Sequence, residues 1–107
     1  MKLVIIESPY AGDIAANEAY ARNCMRRCLL SGETPIASHL LFTQPGVLDD
    51  QLPDERALGI AAGLEWRRVA DYSIFFCGRG GSRGMLAALA SAKAEGRPYF
   101  VRDGEEP

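Results

Sequence analysis

Short apolar runs recur along the chain, each bounded by polar or turn-forming residues. The first, from Leu3 to Ile6, is continuous rather than alternating, which is typical of a parallel strand buried on both faces. It predicts a strand over residues 2–6. Comparable runs predict three further strands, at residues 35–38, 72–77 and 98–101.

Three longer segments between these strands have the periodicity and the end signals of helices. The first begins after Asp13, a good N-cap, and ends near Leu30. The second begins at Pro53, and the third covers residues 82–95. Residues 39–52 are expected to form a loop. The inner face of the second helix is expected to comprise four apolar residues, Ala57, Ile60, Ala61 and Leu64.

The order β-α-β-α-β-α-β predicts the fold class. Helices between apolar strands imply an α/β three-layer sandwich, in which helices cover both faces of a parallel four-stranded sheet. At 107 residues the chain is expected to be a single domain, with residues 103–107 as a frayed polar tail. Ligands of such sheets bind beyond the carboxyl ends of the strands. Three segments are predicted to meet there, at residues 7–13, 38–44 and 78–85.

The segment GRGGSRGM, residues 78–85, joins the third strand to the third helix. Its four glycines let the backbone bring several N–H groups close to a ligand, and Ser82 is expected to cap the helix. Arg79 and Arg83 can add forked hydrogen bonds to an oxyanion. The pattern favours an anion site, with a tight turn for close helix packing as the alternative. It is neither a Walker loop nor a complete GxGxxG dinucleotide motif.

Glu7 directly follows the first predicted strand, so its carboxylate is expected to face the crevice. There it can accept hydrogen bonds from sugar hydroxyls, act as a base or attack an anomeric carbon. Tyr10 can stack against a base or donate its hydroxyl. The alternatives are a solvated loop acid and an aromatic lid over the core.

His39 is the single histidine, so any histidine-dependent proton transfer must use it. It follows Ser38 at the end of the second predicted strand. A structural hydrogen-bonding role is the alternative. No GxSxG nucleophile elbow supports a catalytic triad.

The three cysteines, Cys24, Cys28 and Cys77, are an odd number without a secretory context and are interpreted as reduced. Cys24 and Cys28 lie one turn apart on an apolar stripe, which favours core packing over a shared metal. An acidic group within residues 49–55 can hold Mg²⁺ or accept a sugar hydroxyl, or can simply be a solvated helix entry. No metal and no cofactor are predicted.

Composition and charge narrow the classes of function. A formal net charge of −2 argues against sequence-independent binding of DNA or RNA, which needs a basic surface. No apolar run reaches the roughly 18 residues of a membrane span. The apolar run at the N-terminus is too short for a signal-peptide core. A cytoplasmic protein with no nucleic-acid or membrane partner is therefore expected.

Four segments of the chain carry a resemblance to a known family. VIIESPYAGD, YARNCMRRCLLSGETPIASHLLFTQPGVLDD, ERALGIAAGLEW and GGSRGM resemble a small family of bacterial and phage domains. That family is similar to the nucleoside 2-deoxyribosyltransferases and the nucleotide N-glycosidases. The likeness to the small family covers residues 3–98, whereas the likeness to the enzymes is mainly architectural.

The resemblance implies a flavodoxin-like or Rossmann-like sheet with a pocket for a nucleoside or nucleotide. In the enzymes the tip of the first strand lines the base and sugar, and the loop after the third strand meets the sugar or its 5′-phosphate. The candidates for chemistry are Glu7 and His39. The residues expected to contact the ligand are Ser8, Pro9, Tyr10, Ser38, Arg79, Gly80, Gly81, Ser82, Arg83, Gly84 and Met85.

The resemblance also implies a homodimer or a larger homo-oligomer, in which a neighbouring subunit completes the pocket. Trp66, followed by Arg67 and Arg68, is expected to mark the outer edge of the second helix, where a subunit contact can form.

One departure from the enzymes bears on mechanism. They place a nucleophilic glutamate near the start of the helix after the glycine loop, but this chain has no carboxylate between Asp71 and Glu95. Two hypotheses follow. In the first, the protein cleaves an N-glycosidic bond of a nucleotide, with Glu7 as nucleophile or base and His39 as acid. An acid from residues 49–55 is the alternative to Glu7 as the replacement for the missing glutamate. In the second, it binds a nucleotide-derived signal without consuming it. A purely structural domain that keeps an inherited pocket is a third reading.

Overall fold

The computed structural model describes residues 1–103, so the predicted tail beyond Asp103 lies outside the described residues. Its four strands are β1 (Lys2–Glu7), β2 (Glu33–Ile36), β3 (Tyr72–Phe76) and β4 (Tyr99–Arg102). Its helices are α1 (Ile14–Leu30), α2 (Ser38–Leu41), α3 (Pro53–Val69) and α4 (Arg83–Glu95). None of the helices within residues 1–103 is long and apolar enough to cross a membrane.

The strands form one parallel sheet in the order β2-β1-β3-β4. Val4 of β1 lies between Pro35 of β2 and Tyr72 of β3, which fixes the register. The prediction of a parallel four-stranded sheet covered by helices is thereby confirmed. From β1 the chain continues to β2 on one side of β1 and then crosses to β3 on its other side. The strand order therefore reverses between β1 and β3. A crevice forms at such a reversal.

Alternating side chains of the strands pack against different helices. Val4, Ile6, Ile74 and Phe76 point to the face covered by α1. Cys24 and Cys28 of α1 are completely buried against them, so the prediction that these cysteines pack in the core is confirmed. On the opposite face, Phe75 packs against Met85 and Ala88 of α4. α3 reaches this same face, where its Arg67 bonds to Glu7 at the end of β1.

Local signals set most helix ends as expected. The side chain of Asp13 accepts a hydrogen bond from the N–H of Ala16, which caps α1, and that of Ser82 accepts one from Met85, which caps α4. Gly96 ends α4 with a φ of 67°, a left-handed conformation that glycine adopts at little cost.

The segment after β2 differs from the prediction of a loop. β2 ends at Ile36, and residues 38–41 turn into the short helix α2. Leu40 of α2 is buried in the core with α1, and this burial holds the turn in place. His39, which precedes Leu40, therefore lies on a helix rather than at the end of a strand.

The predicted inner face of α3 is wrong. Ile60 and Leu64 are 53% and 41% exposed, and Gly63 is the buried residue of the helix. A Cβ on Gly63 would lie 2.9 Å from Oγ of Ser38, so α3 meets α2 at its glycine. Because α3 packs through this small residue, its large apolar side chains do not face the core. Ile60 and Leu64 border a cavity instead.

Candidate functional site

A cavity of about 710 Å³ lies at the carboxyl ends of β1 and β3, between α3 and α4. Its volume is in the range of pockets that hold small molecules. Its location follows from topology, because α3 and α4 cover one face of the sheet and α1 the other. The three segments predicted to converge at this edge of the sheet all contribute to its lining.

The floor of the cavity contains a forked ion pair between Glu7 and Arg67. Nε of Arg67 donates to Oε2 of Glu7 at 2.6 Å, and Nη2 donates to Oε1 at 2.9 Å. The side chains are only 10% and 14% exposed, respectively. Such paired geometry is strong and directional, so the guanidinium fixes the carboxylate plane and offsets its charge. Each carboxylate oxygen keeps a further lone pair for another partner.

Ser8 and His39 form a second polar pair in the cavity. Oγ of Ser8 and Nε2 of His39 are 2.8 Å apart and share a hydrogen bond. Burial, and then the positive charge of Arg67, lower the pKa of His39 to about 4. The imidazole is therefore neutral at physiological pH. The ring of Tyr10 meets it edge to face, with centroids 6.3 Å apart.

The start of α4 brings positive charge to the opposite wall. Ser82, Arg83 and Gly84 line the cavity, and the first N–H groups of a helix have no intrahelical partner. The helix dipole adds a partial positive charge at the same place. Within residues 1–103, the guanidinium of Arg83 forms no ion pair.

Arg79 takes a different direction from Arg83. Its Nε donates to Oδ1 of Asn17 on α1 at 2.8 Å, and it is not among the residues that line the cavity. Gly80, with a φ of 81°, closes the turn through a hydrogen bond from its N–H to the carbonyl of Cys77. The left-handed φ explains one glycine of the loop as a turn requirement.

The rim of the cavity is formed by the segment that enters α3. Arg56 donates to Asp50 at 2.7 Å, and Glu55 accepts a hydrogen bond from the N–H of Asp49. Asp50 and Glu55 of the acidic group are therefore paired with neighbouring residues at the start of α3. Residues 1–103 contain no group of three or more histidine, cysteine or acidic side chains placed to hold a metal ion.

The structure brings nine of the predicted site residues to the cavity and leaves four outside it. The nine that line it are Glu7, Ser8, Tyr10, Ser38, His39, Ser82, Arg83, Gly84 and Met85. The four that do not are Pro9, Arg79, Gly80 and Gly81.

Sequence reasoning missed Arg67 and Asn17. Arg67 was expected at the outer edge of α3 beside Trp66, but it points inward to Glu7. Its spacing of four residues from Gly63 would have placed both on one face, had the glycine been recognised as the point of helix contact. No feature of the sequence singles out Asn17, because its partners are two carbonyls and an arginine in other segments.

Comparisons with known proteins agree with this architecture. A solved structure of a 2-deoxyribosyltransferase from the psychrotolerant bacterium Bacillus psychrosaccharolyticus superposes with a TM-score of 0.66 and 17% sequence identity. The alignment covers 92% of this chain and 70% of that one. At this identity the likeness shows the fold, and it confirms the expected flavodoxin-like α/β architecture. No curated protein sequence matches the chain.

The family comparison covers nearly every residue. The family model described as "Domain of unknown function (DUF7768)" matches residues 2–102, which contain all eight helices and strands and every cavity-lining residue. The chain therefore belongs to the DUF7768 family of domains.

Proposed function

We propose that this protein binds a nucleoside or nucleotide in the cavity between α3 and α4, with an anionic group of the ligand at the start of α4. The observation that carries the proposal is the charge arrangement of the lining. Glu7 pairs with Arg67, whereas the Arg83 guanidinium has no such partner within residues 1–103. An anion at Arg83 would therefore gain a charge-assisted hydrogen bond without breaking an existing pair.

The rest of the cavity suits the remainder of such a ligand. Apolar side chains of Phe42, Leu48, Ile60 and Leu64 contribute to one wall, where a flat base can be buried. Tyr10, half-buried in the loop after β1, adds an aromatic ring to the lining next to His39. The carboxylate of Glu7 has spare lone pairs that can accept hydrogen bonds from sugar hydroxyls.

A direct experiment is to purify the protein natively, denature it and identify the released small molecules by mass spectrometry. Calorimetry with a panel of nucleosides and their 5′-phosphates then measures affinity. Phosphorylated ligands are expected to bind better than their nucleosides. Arg83→Gln should reduce the ratio of these two affinities about tenfold, as expected for one charge-assisted bond. Arg68→Gln, on the exposed side of α3, is the matched control. Failure of every ligand to bind would refute the proposal.

Cleavage of the N-glycosidic bond is the second candidate function, and the place of Glu7 favours it. A carboxylate at the cavity floor can stabilise positive charge on the sugar, attack the anomeric carbon or activate water. Arg67 would orient it through the forked ion pair. His39 is neutral above a pH of about 4, so it is a poor proton donor to a leaving base at pH 7.

Incubation of the binding nucleotide with the protein separates the two candidates. If the protein is an enzyme, free base accumulates over multiple turnovers, and Glu7→Gln lowers the rate at least 100-fold while retaining binding. Stability must be measured alongside, because an uncompensated buried Arg67 destabilises a fold by several kcal/mol. Quantitative recovery of intact nucleotide from the wild-type protein would exclude cleavage and leave binding as the only one of the two functions.

We also propose that the protein forms a homo-oligomer through α3. Three large apolar side chains, Leu58, Trp66 and Val69, are 59%, 46% and 65% exposed. Their spacing of eight and three residues places them on one side of the helix, away from the cavity. A second copy of the chain can bury this stripe against its own α3, since a two-fold axis brings identical patches together.

A further inference from the structure

Asn17 connects two loops that shape the cavity, although it does not line the cavity itself. It lies in the first turns of α1, on the opposite face of the sheet, and is 5% exposed. Its Nδ2 donates to the carbonyls of Tyr10 and Ala11, both at 3.0 Å. Its Oδ1 accepts from Nε of Arg79 at 2.8 Å.

The carboxamide of Asn17 matches the groups around it in a way that other side chains cannot. Both N–H bonds and the oxygen are used, and they point to two different segments of the chain. A carboxylate would keep the contact with Arg79 but would place an oxygen against two carbonyl oxygens. An apolar side chain would remove all three hydrogen bonds and leave these partly buried groups to find other partners.

The two segments joined by Asn17 border the site from different strands. Tyr10 and Ala11 belong to the β1–α1 loop, and both line the cavity. Arg79 belongs to the β3–α4 loop, which leads into the cavity-lining start of α4. Tyr20, one turn further along α1, accepts a hydrogen bond from the N–H of Gly78 at 2.8 Å. The first turns of α1 thus bond to both loops from the face of the sheet opposite the cavity.

We propose that Asn17 is a positioning residue, which fixes the separation of the β1–α1 loop from the β3–α4 loop and thereby the shape of the cavity. It acts on a bound ligand only through Tyr10, Ala11 and the loop held by Arg79. The effect on ligand affinity rests on the proposed function, whereas the effect on the loops does not.

Hydrogen–deuterium exchange followed by mass spectrometry tests the two links separately. Asn17→Asp is expected to raise exchange at least tenfold in residues 8–16 only, because it keeps the bond with Arg79. The reporters in this segment are the N–H groups of Ile14 and Ala16, which bond to Gly12 and Asp13. Arg79→Ala is expected to do so in residues 78–82 only, and Asn17→Ala in both. Asn23→Ala, in the same helix, should change neither loop, because the Nδ2 of Asn23 has no hydrogen-bond partner within residues 1–103.

This pattern distinguishes positioning from simple destabilisation. An even rise of exchange across the whole chain, or no rise in either loop, would overturn the proposal. If Asn17→Ala fails to fold, the two single-link variants decide the question. Calorimetry with adenosine 5′-monophosphate adds the second readout, in which Asn17→Asp should weaken binding about tenfold. If the wild-type protein does not bind this probe, the exchange data still test the role of Asn17, and only the ligand assignment fails.

Discussion

At the scale of single residues, two polar side chains at the cavity have partners that limit their chemistry, and, within residues 1–103, a third does not. Glu7 is held by Arg67 and therefore presents a fixed, charge-compensated carboxylate. His39 lies half-buried beside the same arginine and shares a hydrogen bond with Ser8. Arg83, by contrast, reaches the cavity without an ion-pair partner in the described part of the chain. The site is consequently better equipped to hold an anion than to donate a proton.

The neutral state of His39 predicts a pH dependence of stability. Its pKa is about 4 in the folded protein, below the ordinary 6.5, so the unfolded chain binds more protons between these values. This contribution is fully present above pH 6.5 and is lost as the pH falls toward 4. Between pH 7 and pH 5 the loss is about 2 kcal/mol for such a shift. Urea unfolding of the wild type and of His39→Gln measures it.

The variant His39→Gln serves as the reference for this measurement, because it removes the titrating group and leaves the other acids in place. The free energy of unfolding of the wild type minus that of the variant should be smaller at pH 5 than at pH 7. A difference that is the same at both pH values would show that His39 is not buried in its neutral form.

At the scale of elements, the packing of α3 decides where the cavity opens. Gly63 lets this helix approach α2 closely, which in turn directs Arg67 toward Glu7 and leaves Ile60 and Leu64 at the opening. A larger side chain at this contact would separate α3 from Ser38, a cavity-lining residue. The cavity therefore depends on a contact between two helices that belong to the same β2–β3 connection.

The variant Gly63→Ala tests this dependence. Its Cβ would lie 2.9 Å from Oγ and 3.3 Å from Cβ of Ser38, so the Ser38 hydroxyl must turn away and its Cβ must give by a few tenths of an ångström. Overpacking of this kind typically costs about 1–3 kcal/mol, against about 1 kcal/mol gained from better helix propensity. Gly59→Ala, one turn earlier in the same helix, is the matched control, since its Cβ would meet Leu48 at an ordinary 3.4 Å.

We expect Gly59→Ala to raise the free energy of unfolding and Gly63→Ala to lie at least about 1 kcal/mol below it. Chemical denaturation gives both values. Equal stabilisation by the two substitutions would mean that the contact at Gly63 tolerates a methyl group, and that the place of α3 is set by other contacts.

At the scale of the whole molecule, several large apolar side chains within residues 1–103 are exposed. The DUF7768 chain aligns with 70% of the 2-deoxyribosyltransferase chain that it resembles, and its α3 buries only Gly63. Contiguous apolar side chains on a small soluble protein mark a site of association. The exposed stripe of Leu58, Trp66 and Val69 on α3 is the surface that we propose for association between copies of this chain.

Analytical ultracentrifugation tests the proposed assembly. The wild-type protein is expected to sediment as a dimer or larger species, and Leu58→Glu combined with Val69→Glu as a monomer, because buried carboxylates without partners are costly. Leu30→Glu is the control, since Leu30 is 70% exposed at the far end of α1. Dissociation in Leu30→Glu, or a monomeric wild type at micromolar concentration, would contradict an interface on α3.

The sequence by itself determined the order and type of the long elements, the parallel sheet and the set of loops that meet at its carboxyl edge. These features depend on local signals, namely apolar runs for strands, capping residues for helices and glycines for turns. Glu7, Tyr10 and Arg83 were predicted to lie at this edge for the same reason, because the ends of parallel strands converge whatever the details of packing.

Only the tertiary structure decided which side chains pair across that edge. The bonds of Glu7 with Arg67, and of Arg79 with Asn17, join residues 60 and 62 positions apart. No local pattern encodes such contacts, because they depend on the rotation of each helix about its axis. For α3 that rotation is set by one glycine against Ser38 and not by the position of its apolar residues. The physical reason is that close packing between helices, rather than periodicity alone, chooses the buried face.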